Sequence, residues 1–307
     1  QAGNIYVAGY SIRGMPKKHS DYVTLKYDNS GNLNWDSQYD DRRNGTDEIT
    51  AIAVDGNGYV YITGRSEDSL TNKDATHFDY YTIKYNPATG QSEWEARYDN
   101  APLFGADEPA AIAVDTQRNV YVTGRSQGAT NFDAVTVKYD PNGNQVWVHR
   151  YNYASGNDEA TGVAVDEAGN VYVTGRSQGS TTGFDYFTIK YAFDVPDGQP
   201  EWIVRYNNDD ANGADEAAGV AVDALGNVYV TGRSQGSATD FDYFTIKYDN
   251  SGTMVWRVRY NHADRNGDDE PRAIIVDSAG NVYVTGRSQG AGSSFDYATV
   301  KYEQPGQ

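Results

Sequence analysis

The stretch GNVYVTGRSQG stands at Gly169–Gly179, at Gly226–Gly236 and at Gly280–Gly290, and a fourth copy from Arg118 to Gly128 differs only in its first residue. Reading outward from it, the glycine at its seventh place recurs as Gly9, Gly64, Gly124, Gly175, Gly232 and Gly286, spaced by 55, 60, 51, 57 and 54 residues. A tyrosine phrase follows each glycine phrase: DYVTLKY, DYYTIKY, DAVTVKY, DYFTIKY twice, and DYATVKY, ending at Tyr27, Tyr85, Tyr139, Tyr191, Tyr248 and Tyr302. A tryptophan phrase centres on Trp35, Trp94, Trp147, Trp202 and Trp256. A carboxylate phrase opens with Asp-Glu and closes in an apolar stretch and aspartate, as from Asp158-Glu159 to Val165-Asp166.

Each phrase is strand-length and bounded by Gly, Asn, Asp or Pro. In Val171-Tyr172-Val173-Thr174 the valines point one way and Tyr172 and Thr174 the other. Neither set is plainly solvent-like, which predicts a sheet covered on both faces. The joints AGN, PNGN and NSG suit tight turns in which Gly or Asn takes positive φ. No sustained helical period appears. Four strands in a repeat of somewhat over 50 residues predict an all-β, six-bladed β-propeller of four-stranded antiparallel blades. The boundaries fall at roughly 1–45, 46–105, 106–156, 157–213, 214–267 and 268–307, in one domain spanning 1–307. An open solenoid is the rival architecture, and known solenoid repeats are generally shorter or helical.

The run AVDEAGNVYVTGRSQG, followed by FDYFTIKYD, resembles the bacterial SBBP-type β-propeller repeat across essentially the whole chain. That resemblance implies a secreted or cell-surface protein. It implies no activity, because the family is defined by repetition. Aligning Gln1-Ala2-Gly3-Asn4 with Glu167-Ala168-Gly169-Asn170, and the last residues with the turn before the tryptophan phrase, leaves both terminal blades incomplete. The expectation is a piece of a longer chain with an unpaired strand edge.

Composition narrows the function classes. The 307 residues suffice for a large core, and the absence of cysteine excludes disulfides and thiolate sites. A net charge of −18 argues against nucleic acid as a partner. No apolar run approaches a membrane span, and no signal peptide is read. The 26 tyrosines and 32 glycines accord with strands and turns.

The candidate chemistry lies in the recurrent acidic pairs Asp47-Glu48, Asp107-Glu108, Asp158-Glu159, Asp215-Glu216 and Asp269-Glu270. If the carboxylate strands are innermost, these pairs ring one mouth of a central channel, with Asp55, Asp115, Asp166, Asp223 and Asp277 at the other. Clustered carboxylates attract hard cations with oxygen ligands, so calcium is the candidate cofactor. DRNGDDE, with Asp264, Asn266, Asp268, Asp269 and Glu270, carries the best loop, although its spacing departs from an EF-hand. The competing reading makes these acids turn organisers and partners of Arg65, Arg125, Arg176, Arg233, Arg287 and the tyrosine-strand lysines. An arginine ring holding anions is set against inter-blade pairing, which the acidity favours. His19, His77, His149 and His262 show no metal-ligand spacing, and GRSQG is not a nucleophile elbow. The irregular loops SIRGMPKKHS and EDSLTNKDATH are where a unique site would sit. The expected role is a non-enzymatic extracellular scaffold or protein-binding module, bound to a protein partner or to other segments of a longer parent. The alternatives are a calcium-stabilised glycan- or ligand-binding propeller, and a propeller lyase or hydrolase.

Overall fold

The structure is a computed structural model that describes residues 3–13, 19–40, 45–67, 77–100, 105–193, 195–208, 213–236, 240–261, 267–289 and 294–303. These residues form strands and turns, with no helix among them. They fall into two compact units, Gln1–Val148 and His149–Gln307.

The first unit opens with a three-stranded sheet of β1 (Ile5–Arg13), β2 (His19–Tyr27) and β3 (Leu33–Tyr39). A four-stranded sheet follows, β4 (Asp47–Val54), β5 (Val60–Glu67), β6 (Phe78–Tyr85) and β7 (Ser92–Tyr98). The third sheet is β8 (Asp107–Val114), β9 (Val120–Gln127), β10 (Phe132–Tyr139) and β11 (Gln145–Tyr151), whose last residues count with the second unit. In the second unit, β12 (Asp158–Val165), β13 (Val171–Gln178), β14 (Phe184–Tyr191) and β15 (Trp202–Tyr206) form one sheet. Next come β16 (Asp215–Val222), β17 (Val228–Gln235), β18 (Phe241–Tyr248) and β19 (Met254–Tyr260). The last sheet has three described strands, β20 (Asp269–Val276), β21 (Val282–Gln289) and β22 (Phe295–Tyr302). Every sheet is an antiparallel meander in chain order, so each phrase of the repeat is one strand.

The glycine strands β5, β9, β13 and β17 are buried on both faces, as their pattern predicts: Val228, Tyr229, Val230 and Thr231 are all fully covered. The turns follow from the sequence. Asp166 Oδ1 accepts the amide of Asn170, Asp166 Oδ2 accepts its Nδ2, and Gly169 between them takes φ +87°. Only a residue without Cβ adopts that conformation without strain. In the fourth copy Arg118 occupies the same place at φ +68°. Each carboxylate strand from β4 onward loses one residue of register against its glycine strand, between Ala160 and Gly162 in β12 and at the same place in β4, β8, β16 and β20. Such a bulge bends the strand and increases its twist.

Within each unit, successive sheets interlock through tyrosine and tryptophan. Tyr186 of β14 is buried, and its hydroxyl donates to Phe244 O of the next sheet at 3.2 Å. That hydroxyl lies over Gly232, 2.6 Å from where a Cβ would stand. Tyr22 over Gly64, Tyr80 over Gly124 and Tyr243 over Gly286 repeat the arrangement at 2.6–2.8 Å. Trp202 Nε1 donates to Asn250 O at 3.0 Å, as Trp35 does to Pro87 O and Trp94 to Pro141 O, both at 3.1 Å. Tyr206 stacks on Phe244 with ring centroids 4.9 Å apart. Such aromatic pairs contribute about 0.5–1.5 kcal/mol each beyond the area they bury.

Candidate functional site: a carboxylate–arginine ladder

The two acids of each Asp-Glu pair are neighbours on a strand, so their side chains leave it on opposite faces. Asp47, Asp107, Asp158, Asp215 and Asp269 are fully buried. In β12, Asp158 faces Ser177, whose hydroxyl donates to it, while Glu159 faces Arg176. Asp158 Oδ2 also accepts the Tyr153 amide at 2.7 Å, and Asp215 Oδ2 accepts that of Asn208 at 2.7 Å. Burial pushes Asp215 up to about 6. These aspartates therefore anchor the segment entering their strand. The glutamates stand apart from them.

The glutamates meet the arginines. Arg176 Nη2 lies 2.8 Å from Glu159, and its Nη1 lies 2.7 Å from Glu216 of the next sheet. Arg233 repeats the bridge, at 2.9 Å to Glu216 and 3.4 Å to Glu270. Arg287 closes on Glu270 at 2.8 Å, with Arg272 at 3.0 Å. Together these groups line an open depression of about 500 Å³ in the second unit. In the first unit Arg65 pairs with Glu48 at 2.6 Å and approaches Glu108 to 4.0 Å. The Arg287 guanidinium, followed by the other arginines, holds Glu270 below the usual carboxylate range. The carboxylate strands also touch directly: Thr161 Oγ1 donates to Ala217 O at 2.8 Å. Within each unit arginine and glutamate thus alternate from sheet to sheet in charge-assisted, partly buried pairs.

The aspartates closing the carboxylate strands have a separate task. Asp55, Asp115, Asp166, Asp223 and Asp277 each accept turn amides and the hydroxyl of a glycine-strand tyrosine, at 2.9–3.2 Å. Burial, with the adjacent carboxylate, raises the pKa of Tyr121 and Tyr172 above the ordinary phenol value.

The arginines of the tryptophan phrase escaped the sequence reading, which had Asp185 as a candidate partner for a basic residue. Arg97, Arg205 and Arg259 pair with Asp79, Asp185 and Asp242 of the tyrosine strands at 2.6, 2.5 and 2.7 Å. The signal was present as the repeated Arg-Tyr ending of the tryptophan phrase. Asp79 also belongs to an acidic group with Asp99 and Asp107, whose ligand atoms lie within 4.8 Å of one another. Burial, reinforced by these neighbours and opposed by Arg97, pushes Asp79 up to about 7. Sequence reading had singled out Asp107 alone of the three. A second such group is His19, Asp21 and Asp40. Asp264 and Asn266 lie outside the described residues, as do His262 and most of the two irregular loops. Asp268 is described, and its side chain accepts the Phe241 amide at 3.2 Å. His149 Nδ1 lies 2.7 Å from the Tyr191 hydroxyl, and burial lowers its pKa.

The repeat geometry has known counterparts. An uncharacterized WD repeat-containing protein of Acanthamoeba polyphaga mimivirus is 27% identical over 269 residues, covering 76% of this chain and 18% of that protein. A protein of unknown function from Dyadobacter fermentans superposes with a TM-score of 0.58 at 9% identity, over 97% of this chain and 91% of that one. The β-propeller domain of the Trilobed protease from Pyrococcus furiosus, described as having an open velcro topology, gives 0.55 at 8% identity over 99% and 78% of the two chains. Both structural likenesses are of fold alone. The SBBP β-propeller repeat model matches residues 42–69, 105–133, 146–181, 201–241 and 255–292, and the chain belongs to that family.

Proposed function

We propose that this chain is a non-enzymatic scaffold of six propeller blades, a protein-binding module of an exported bacterial cell-surface assembly. The observation that carries the reading is the carboxylate–arginine ladder: groups able to do chemistry are engaged with each other, repeat after repeat, in the same pairs. Membership of a family defined by its repeat supports the scaffold role. The ladder is tested by a double-mutant cycle on Arg233→Met and Glu216→Gln, followed by thermal unfolding. A structural pair of this exposure couples by about 0.5–1 kcal/mol. An uncoupled pair, together with a saturable rise in midpoint on adding sugar acids, would instead make the depression an anion site. Turnover of a lactone, glycoside or polyuronate by the purified chain would overturn the non-enzymatic reading outright.

A second reading, a calcium-stabilised ligand- or glycan-binding propeller, draws on the Asp79, Asp99 and Asp107 group. Its three carboxylates offer hard oxygen ligands at mutual distances a cation could span. Calcium bound only to the folded chain raises the unfolding midpoint with metal concentration, and Asp99→Asn abolishes the rise. An unchanged midpoint in calcium and in chelator removes this reading.

A further inference from the structure

The lysine of a tyrosine phrase reaches toward the next sheet, and in the second unit it meets a group with which an amine reacts. In the first unit Lys26 Nζ donates to Pro87 O at 2.6 Å, the carbonyl that also accepts the Trp35 indole. Pro141 holds the same place for Trp94. For Trp202 the place belongs to Asn250, in the turn between β18 and β19, which adds a side-chain amide to the carbonyl. Lys190 Nζ of β14 donates to Asn250 Oδ1 at 2.7 Å and to Asn250 O at 3.3 Å.

Glu201 completes the group. Its amide donates to Lys190 O at 2.7 Å, which sets it beside the lysine, and its carboxylate lies 3.0 Å from Lys190 Nζ. Lys190 is only 3% exposed, with its ammonium 5.9 Å from the Tyr172 ring centroid, while Glu201 is open to solvent. The asparagine is held as firmly. Its carbonyl accepts the Trp202 indole at 3.0 Å, and its Cγ and Oδ1 each lie 3.1 Å from the Cβ position of Gly226. A buried primary amine thus has a carboxylate and a carboxamide at hydrogen-bond distance, both in fixed positions.

We propose that Lys190 and Asn250 join in an amide bond that ties the sheet of β12–β15 to the sheet of β16–β19, with Glu201 as the proton carrier. Glu201 takes a proton from the ammonium, and the freed lone pair of Nζ adds to Asn250 Cγ, the carbon bonded to the oxygen it already contacts. The Cγ–Nδ2 bond then breaks. Of the three ammonium protons, one stays on the new amide nitrogen and two depart with Nδ2, which leaves as ammonium. Glu201 ends as the carboxylate it began as, and nothing is oxidised or reduced. Fixed proximity and a placed proton carrier are what make so slow a reaction accessible. The bond closes a loop across 60 residues of chain, which restricts the unfolded state as other cross-links do. It serves a scaffold and a ligand-binding propeller alike, so it goes beyond either reading and depends on neither.

Intact-mass spectrometry of the purified chain, followed by peptide mapping, tests it. The wild-type chain is expected to weigh one ammonia less than its sequence and to yield a branched peptide joining the Lys190 and Asn250 segments. Lys190→Arg keeps the cation but offers no primary amine, so it is expected at full mass without the branched peptide. Glu201→Gln changes a solvent-open side chain and keeps the fold. It is expected to leave most of the chain unlinked, because losing a proton carrier slows such a step by about a hundredfold or more. A wild-type chain at full mass would overturn the bond. So would an ammonia loss mapped to Gln1 or to an Asn-Gly step, since cyclisation there removes the same mass. A Glu201→Gln chain linked as completely as wild type would overturn the role of Glu201. None of these outcomes alters the Arg233–Glu216 coupling, so the bond and the scaffold reading fail separately.

Discussion

Replacing Gly232 by alanine should destabilise the second unit, while the same change at Gly9 should not. At Gly232 the new methyl would lie 2.5 Å from Ala217 Cα, 2.6 Å from the Tyr186 hydroxyl, and against the Glu216 carbonyl oxygen. Carbon atoms rest about 3.5–4.0 Å apart, so the pairing of β16 with β17 must open by about 1 Å. Two of the three obstacles are backbone, which cannot rotate away. Overpacking of this kind costs about 3 kcal/mol, offset by about 0.5–1 kcal/mol from replacing a flexible glycine within a strand. The net loss of about 2 kcal/mol corresponds to a fall in midpoint of about 4–8 °C for a unit of this size. Gly9→Ala meets nothing within 4 Å and keeps only the favourable contribution. Differential scanning calorimetry at a concentration where the chain is monomeric reads both. Equal midpoints for Gly232→Ala and wild type, or an equal loss at Gly9, would refute the claim that β16 and the Tyr186 hydroxyl close on Gly232 too tightly to admit a methyl group.

Two further outcomes are expected. Arg118→Gly relieves a non-glycine φ of +68°. That conformation costs about 1–2 kcal/mol, partly recovered in a less flexible unfolded chain and by the guanidinium near Tyr59, so the midpoint should rise by about 1–2 °C in a melting curve. Asp79, raised to about 7 by its burial, keeps its proton in the folded chain where the unfolded chain has released it. Its contribution is present below the ordinary carboxylate pKa and fades as pH climbs toward and through about 7, so the midpoint falls from pH 5 to pH 8. Asp79→Asn should flatten that slope, and an unchanged slope in the variant would place the titration elsewhere.

What the sequence determined by itself is the repeat and everything local to it. Alternation in Val171-Tyr172-Val173-Thr174 is a property of one strand, and it specified two covered faces. The Asp-x-x-Gly-Asn joints specified turns, because a left-handed residue and an aspartate acceptor four residues back act within a few bonds. The tertiary structure decided how the charged groups divide. Asp158 and Glu159 read as one acidic pair in a linear chain, yet the pleat sends one into the core against Ser177 and the other outward to Arg176. Whether Arg176 also reaches Glu216 depends on two sheets meeting 40 residues apart in the chain. The same holds for Tyr297, whose phrase is the family phrase but whose ring is bare. Local pattern dictates which way a side chain leaves its strand. Only the packing of one sheet on another dictates what it finds there.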